Sequence, residues 1–246
     1  MKLVPGAGHP TSFFERDPGA PLWRRALAEG VGAFLLVLVI AASFAGTCCL
    51  PPGPATVARA LAISAALAGL MIAFGPVSGG HFNPLITACQ WFERRRNTAC
   101  LLAYLCAQLA GGVLGAKVAA VLFGAVGWMP QTTPPLALLL AGELVGAGGL
   151  MIVVLAVSRA ASPIAGAFAA AGWVLATLLV VPTFPFANPA VALAALAGAP
   201  LLSVSLQSAA AHVAAEVAGA LIALALVGAI YPLPPAPARK APGHPG

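Results

Sequence analysis

The stretch Ser78-Gly79-Gly80-His81-Phe82-Asn83-Pro84-Leu85 and its counterpart Phe184-Pro185-Phe186-Ala187-Asn188-Pro189-Ala190 each set an Asn-Pro pair inside a long apolar region. Asn is a favoured helix N-cap and Pro is favoured at the first helical position, so each pair reads as a helix start. The apolar run after each is about ten residues, half of the roughly 20 that a bilayer crossing needs. Two short helices beginning at membrane depth would aim their positive ends and their Asn side chains at the interior. Irregular backbone survives there only when it is buried in protein or lines a watery cavity. The two stretches together predict a pore.

Composition agrees. Of 246 residues, 61% are hydrophobic and 7% charged, against about 25% charged in soluble domains; mean hydropathy is +0.98. The chain is an integral membrane protein. The net charge of +6 does not point to nucleic acid, because the basic residues lie between apolar spans, where the positive-inside rule accounts for them. The N-terminus does not read as a cleaved signal, since a Pro- and Gly-rich stretch is followed by Arg24-Arg25 and a full-length span. Its Phe13-Phe14 pair is the only feature there suited to a membrane surface. Five cysteines show no CxxC spacing; Cys89, Cys100 and Cys106 read as small hydrophobes. Cys48-Cys49, at a helix end, reads the same way, with redox or soft-metal chemistry as the alternative.

The predicted fold is an all-α membrane protein of six transmembrane helices plus two re-entrant half-helices in an inverted repeat. Spans are predicted at about 26–46, 55–75, 99–123, 136–157, 164–181 and 206–231, with short helices from Pro84 to the Glu93-Arg94-Arg95-Arg96 run and from Pro189 to about Gly198. A linker over 124–135, with a Gly127-Trp128 bend and Pro130, joins the halves. A tight loop over 158–163 carries Arg159. The domain plan is a cytoplasmic tail at 1–22, a channel unit at 23–231 with repeats of about 23–130 and 131–231, and a disordered tail at 232–246. Arg24, Arg25, Arg94 to Arg96, Arg159, Arg239 and Lys240 fall on one side of such a plan. Both termini are therefore expected in the cytoplasm, with the chain in the cell (inner or plasma) membrane. Arg59 and Lys117 lie near the outer ends of the second and third spans and are expected to snorkel to the outer interface, with pore lining as the alternative.

Four spans share the pattern [AG]-[EQ]-x-x-G-[AG], centred on Glu29, Gln108, Glu143 and Glu216. Small residues four apart let membrane helices pack closely. Glu29 precedes Asn83 by 54 residues and Glu143 precedes Asn188 by 45; Gln108 follows Asn83 by 25 and Glu216 follows Asn188 by 28. Three spans per half force opposite topologies, so the two Asn-Pro loops enter from opposite faces and meet near the midplane.

These residues resemble the aquaporin, or major intrinsic protein, family. Gly79-Gly80-His81-Phe82-Asn83-Pro84 is similar to its first signature and Asn188-Pro189-Ala190 to its second, and the likeness covers about 22–231. The resemblance implies a homotetramer with one pore per subunit, and gives Glu29 and Glu143 the role of accepting loop N–H bonds. By repeat, Glu216 is a loop brace or a protonated acid, with proton coupling as the alternative. His81 is pore-lining or loop-bracing. The positions matching the family's narrow filter are Ile63, Ala176, Pro185 and Val191. Val191 stands where familiar members carry an arginine, so the outer mouth is expected to be less polar and wider. Leu85, in place of alanine, is expected to change the constriction while leaving the Asn83 amide in place. A bacterial subgroup that the sequence resembles also lacks the arginine, and some of its members are linked to arsenic resistance.

The implied activity is passive conduction of small uncharged solutes: water, glycerol-like polyols or undissociated metalloid species. The rival is an ion-coupled secondary transporter on the same repeat, using Glu216 or Lys117; against it, the repeats show no evident acidic pair or proton relay. No nucleophile-base constellation points to an enzyme. His81 has no second ligand at metal spacing, and no metal or cofactor is expected.

Overall fold

Eight helices account for the regular structure in the computed structural model, which describes residues 19–124, 134–160, 163–196 and 204–231. The expectations for Phe13-Phe14 and most of the first tail, for Gly127-Trp128 and Pro130 in the linker, for Gly198, and for the second tail with Arg239 and Lys240 lie outside the described residues. The helices are α1 (Leu22–Gly46), α2 (Pro52–Ser78), α3 (Pro84–Phe92), α4 (Thr98–Phe123), α5 (Leu136–Ala160), α6 (Pro163–Val180), α7 (Pro189–Leu196) and α8 (Leu206–Ile230). Several begin before the apolar stretch does, because backbone capping rather than hydropathy sets the start. In α1 the Pro21 carbonyl accepts from Arg24 and Arg25 N–H, and in α4 the Asn97 side chain accepts from Cys100 N–H. Five helices are long and apolar enough to cross a membrane. The sixth, α6, has 18 residues, or about 27 Å at 1.5 Å per residue, which sits at the short end of the spanning range.

The helices pair in two equivalent ways. Helix α1 packs on α4, and α5 packs on α8. Both crossings depend on the small residues of the repeated pattern. A Cβ on Gly111 would lie 2.1 Å from the Gly30 carbonyl oxygen, and one on Gly219 would lie 2.8 Å from the Gly148 nitrogen. No side chain fits at either point, and the backbones touch directly. Half-helices α3 and α7 each pack on both α4 and α8, one helix from each half. The two re-entrant loops are thereby held between the repeats.

Charge is segregated by end. Arg159, late in α5, pairs with Glu93 just beyond α3 and donates to the Val227 carbonyl of α8 at 3.0 Å, while Glu93 also meets Arg95 at 3.0 Å. These residues share one face of the bundle; the α1–α2 turn lies at the other.

Gly111→Ala is expected to lower folded yield sharply, because the added Cβ meets backbone that cannot move aside. Gly172→Ala, which meets nothing within 4 Å, should be neutral or stabilising by up to about 1 kcal/mol. Thermal melts of the detergent-solubilised protein compare the two.

Candidate functional site

The two Asn-Pro pairs build the site by the same local chemistry. Asn83 Oδ1 accepts from Leu85 N–H at 2.9 Å, and Asn188 Oδ1 accepts from Ala190 N–H at 3.0 Å. Each Asn therefore caps its half-helix, and each Pro takes the first helical position, where no N–H is needed. The amide nitrogens cross over. Asn83 Nδ2 donates to the Ala187 carbonyl at 2.8 Å, and Asn188 Nδ2 donates to the Phe82 carbonyl at 2.9 Å. Each side chain is thus tied to the opposite loop, leaving one N–H per amide for the lumen. Both asparagines line an internal cavity.

The carbonyls they use belong to residues in an uncommon conformation. Phe82 has φ 47° and Ala187 φ 51°, the left-handed region that costs a non-glycine residue roughly 1–3 kcal/mol. Buried carboxyl groups hold both. Glu29 accepts from Phe82 N–H at 2.6 Å, His81 N–H at 2.9 Å and the Ser78 hydroxyl at 2.6 Å. Gln108 Nε2 adds a bond to Glu29 at 2.8 Å and one to Thr87 Oγ1 at 3.0 Å. Glu143 accepts from Phe186 N–H at 2.6 Å and Ala187 N–H at 2.8 Å, and Glu216 accepts from Asn188 N–H at 2.7 Å. The structure thus brings Glu143 and Glu216 together on three consecutive N–H groups, an acidic pair that sequence spacing hid because the two lie 73 positions apart. Each accepts from the loop, and Glu216 does so through one oxygen, its Oε2 making no hydrogen bond to the described residues.

Three further braces escaped the sequence reading. His212 Nδ1 donates to Glu143 at 2.6 Å, and its ring stacks on Phe186 at 4.4 Å; its position four residues before Glu216, on one helix face, was the available signal. Arg96, expected only as a charge at the membrane face, is buried and donates to the Ser78 carbonyl at 3.1 Å. Tyr104 donates to the same carbonyl at 2.8 Å. His81 Nδ1 lies 2.9 Å from Thr87 Oγ1 and the residue also lines the cavity.

Of the filter positions, Ile63, Pro185 and Val191 line the cavity. Ala176 does not: it is exposed on the outer face of α6. Ala170, Val174, Thr177 and Leu178 face the cavity at helical spacing, and Thr177 replaces Ala176 there. An offset counted across an irregular loop misses by one residue, and one residue is about 100° around a helix. The substitution changes the chemistry, because Thr177 brings a hydroxyl to a wall expected to be apolar. Phe184 and Phe186 also line the cavity, placing aromatic bulk where small Val191 and Ala176 had suggested a wide mouth. Leu85 is buried in the core, not in the cavity wall; its neighbour Ile86 takes that place.

The cavity offers 50 Å³ to the centres of water-sized molecules. One water takes roughly 10–15 Å³ on that measure, so a short file of waters or one small solute fits. Elsewhere, Lys117 is exposed on α4, and Arg59 turns inward onto Thr47 and Phe44. The described residues hold no group of three or more His, Cys, Asp or Glu arranged for a metal ion.

The family model described as Major intrinsic protein matches residues 19–181. The chain belongs to the major intrinsic protein family. It is 34% identical over 216 residues to the aquaglyceroporin AqpS of Rhizobium meliloti (strain 1021), covering 84% of this chain and 89% of that relative. It is also 33% identical over 112 residues to Aquaporin Z of Photorhabdus laumondii, covering 45% and 48% of the two. The X-ray structure of the aquaglyceroporin from Plasmodium falciparum superposes with a TM-score of 0.73 over 86% of this chain and 98% of that one, at 16% identity, a likeness of fold. With that fold, the half-helices and loops are the re-entrant pair of a multi-pass membrane channel.

Glu143→Gln and Glu216→Gln are expected to differ. In Glu143→Gln the new amide group would face the Ala187 N–H with a donor and orphan it, at a cost of roughly 1–3 kcal/mol, lowering both melting temperature and solute flux. Glu216→Gln keeps an oxygen for Asn188 N–H, as Gln108 stands at the equivalent place in the first half, and should retain both. Melting curves and liposome flux on the two variants check this.

Proposed function

We propose that the protein is a passive channel for small uncharged solutes, with the crossed Asn83–Asn188 pair as its central selectivity element. That pair is the observation that carries the reading. Two amide N–H groups sit at the middle of an otherwise mostly apolar conduit, so a solute oxygen passing there can accept two hydrogen bonds. The N-terminal ends of α3 and α7 add positive potential at the same point, which opposes cations and interrupts proton relay. His81, the loop carbonyls and the Thr177 hydroxyl supply the remaining polar stations. Ile63, Pro185, Val191, Phe184 and Phe186 form the apolar wall of the outer half.

A wall of this kind suits solutes with one hydrophilic and one apolar side. Water, glycerol-like polyols and undissociated metalloid acids are the solute class assigned here, and relatives named aquaglyceroporin and aquaporin support it. Ion coupling has no support, since Glu29, Glu143 and Glu216 each hold loop N–H groups. Family membership supports a homotetramer with one pore per subunit, a channel unit over 23–231 and a non-enzymatic role. The arginine-rich end carrying Arg24, Arg25, Arg95 and Arg159 is assigned to the cytoplasm of the cell membrane, which puts both termini inside.

Proteoliposomes test the activity. Facilitated flux of water, glycerol, hydrogen peroxide or undissociated metalloid acid is expected, and none for any of them would overturn the channel. Thr177→Val should slow glycerol about fivefold, the worth of one hydrogen bond near 1 kcal/mol, and slow water less. Orientation has its own test. Cys48 and Cys49 are exposed in the α1–α2 turn, and Cys48 beside it pushes the Cys49 thiol up. A membrane-impermeant maleimide should label intact cells, faster as pH rises, and the double Cys48→Ser, Cys49→Ser variant should lose that label.

A further inference from the structure

Arg59 and Ile63 are four residues apart on α2 and share one helix face. Ile63 lines the cavity, so Arg59 sits about one turn further toward the outer mouth, roughly 6 Å along the helix axis. The side chain is held there. Its Nε donates to Thr47 Oγ1 at 2.7 Å, and its guanidinium carbon lies 4.5 Å from the centre of the Phe44 ring. Thr47 is fixed in turn, its hydroxyl donating to the Ser43 carbonyl at 2.7 Å. Phe44 meets Phe184 edge to face at 5.1 Å, and Phe184 is a wall of the cavity. The guanidinium is therefore two ring contacts from the conduit, on a rigid support.

No acid neutralises it among the described residues. Glu29, Glu143 and Glu216 are buried on the loops, and Glu93 lies at the opposite end with Arg95 and Arg159. Among the described residues the one hydrogen bond of Arg59 is that of Nε to Thr47. Lys117, the other cation toward this end, is exposed on the outside of α4. The cavity wall itself is uncharged: Val191, Ile63, Pro185 and Thr177 carry nothing that would turn away a cation before it reaches the asparagines.

We propose that Arg59 is the charge-selective residue of the outer mouth, a fixed cation behind the Phe44–Phe184 pair that repels incoming cations. A guanidinium suits this role better than an ammonium, because it sits over the Phe44 ring while its Nε bonds to Thr47. The proposal rests on the channel reading, and it divides the work: Arg59 selects against charge at the mouth, and the asparagine pair selects by hydrogen bonding at the centre.

The test uses the full-length protein in liposomes and compares glycerol flux with sodium and proton flux for the native chain, Arg59→Lys, Arg59→Met and Arg59→Gln. A unit charge acting over roughly 10 Å at intermediate dielectric predicts that Arg59→Met raises the cation-to-glycerol permeability ratio about tenfold. Arg59→Lys should stay near the native ratio. Should Arg59→Met fail to fold, Arg59→Gln keeps a donor for Thr47 without the charge and should show the same rise. An unchanged ratio in the folded neutral variant, with glycerol flux retained, would overturn the role of Arg59. A rise in Arg59→Lys equal to that in the neutral variants would overturn it too, since a purely structural role does not follow charge. Absence of glycerol and water flux in the native protein would instead remove the channel reading beneath it.

Discussion

A backbone N–H at membrane depth has no water to bond with, and the structure is organised around meeting that demand at two loops. Each loop presents consecutive N–H groups where it turns into a half-helix, and each is gripped by buried carboxyl groups: Glu29 on His81 and Phe82, Glu143 and Glu216 on Phe186 through Asn188. An unsatisfied group in hydrocarbon costs several kcal/mol, so the carboxyl groups are conditions for the loops to exist. The left-handed residues Phe82 and Ala187 are tolerated because the same bonds hold them. Their carbonyls then point where the opposite asparagine can reach them. Bracing and pore geometry are one network.

Helix packing serves that network. The carboxyl groups reach the loops only if α1, α4, α5 and α8 come close to the centre, and the glycines at their crossings allow it. The pattern that places Glu29 in α1 also places small residues four apart on the same helix. One sequence element therefore sets both the separation of the helices and the position of the brace. The two halves do this unequally. Gln108 bonds to Glu29 in the first, whereas Glu216 takes a loop N–H itself in the second, and His212 supports Glu143.

Much of this was legible in the chain. The Asn-Pro pairs, the short apolar runs after them and the fourfold acidic or amide pattern prescribe two half-helices between inverted repeats. Local rules carry that inference, since capping, apolar length and charge asymmetry act over a few residues. Two residues sit elsewhere than local rules predict, for different reasons. Ala176 was reached by counting through an irregular loop, and a single position rotated the side chain out of the cavity in favour of Thr177. Arg96 falls on the charged side of the plan, and charge asymmetry is blind to the Ser78 carbonyl waiting inside.

By itself the sequence determined that the chain crosses the membrane, that it turns back twice within it, and that two asparagines cap the returning helices. Those outcomes follow from hydropathy and backbone hydrogen bonding between near neighbours. Only the tertiary structure decided which carboxyl groups hold which N–H groups, that each asparagine bonds across to the other loop, that Thr177 and Phe184 line the conduit, and that Arg59 is held over Phe44. The hydrogen bonds among those contacts join residues up to 106 positions apart, and a partner at that distance is chosen by how helices cross, which no local rule encodes.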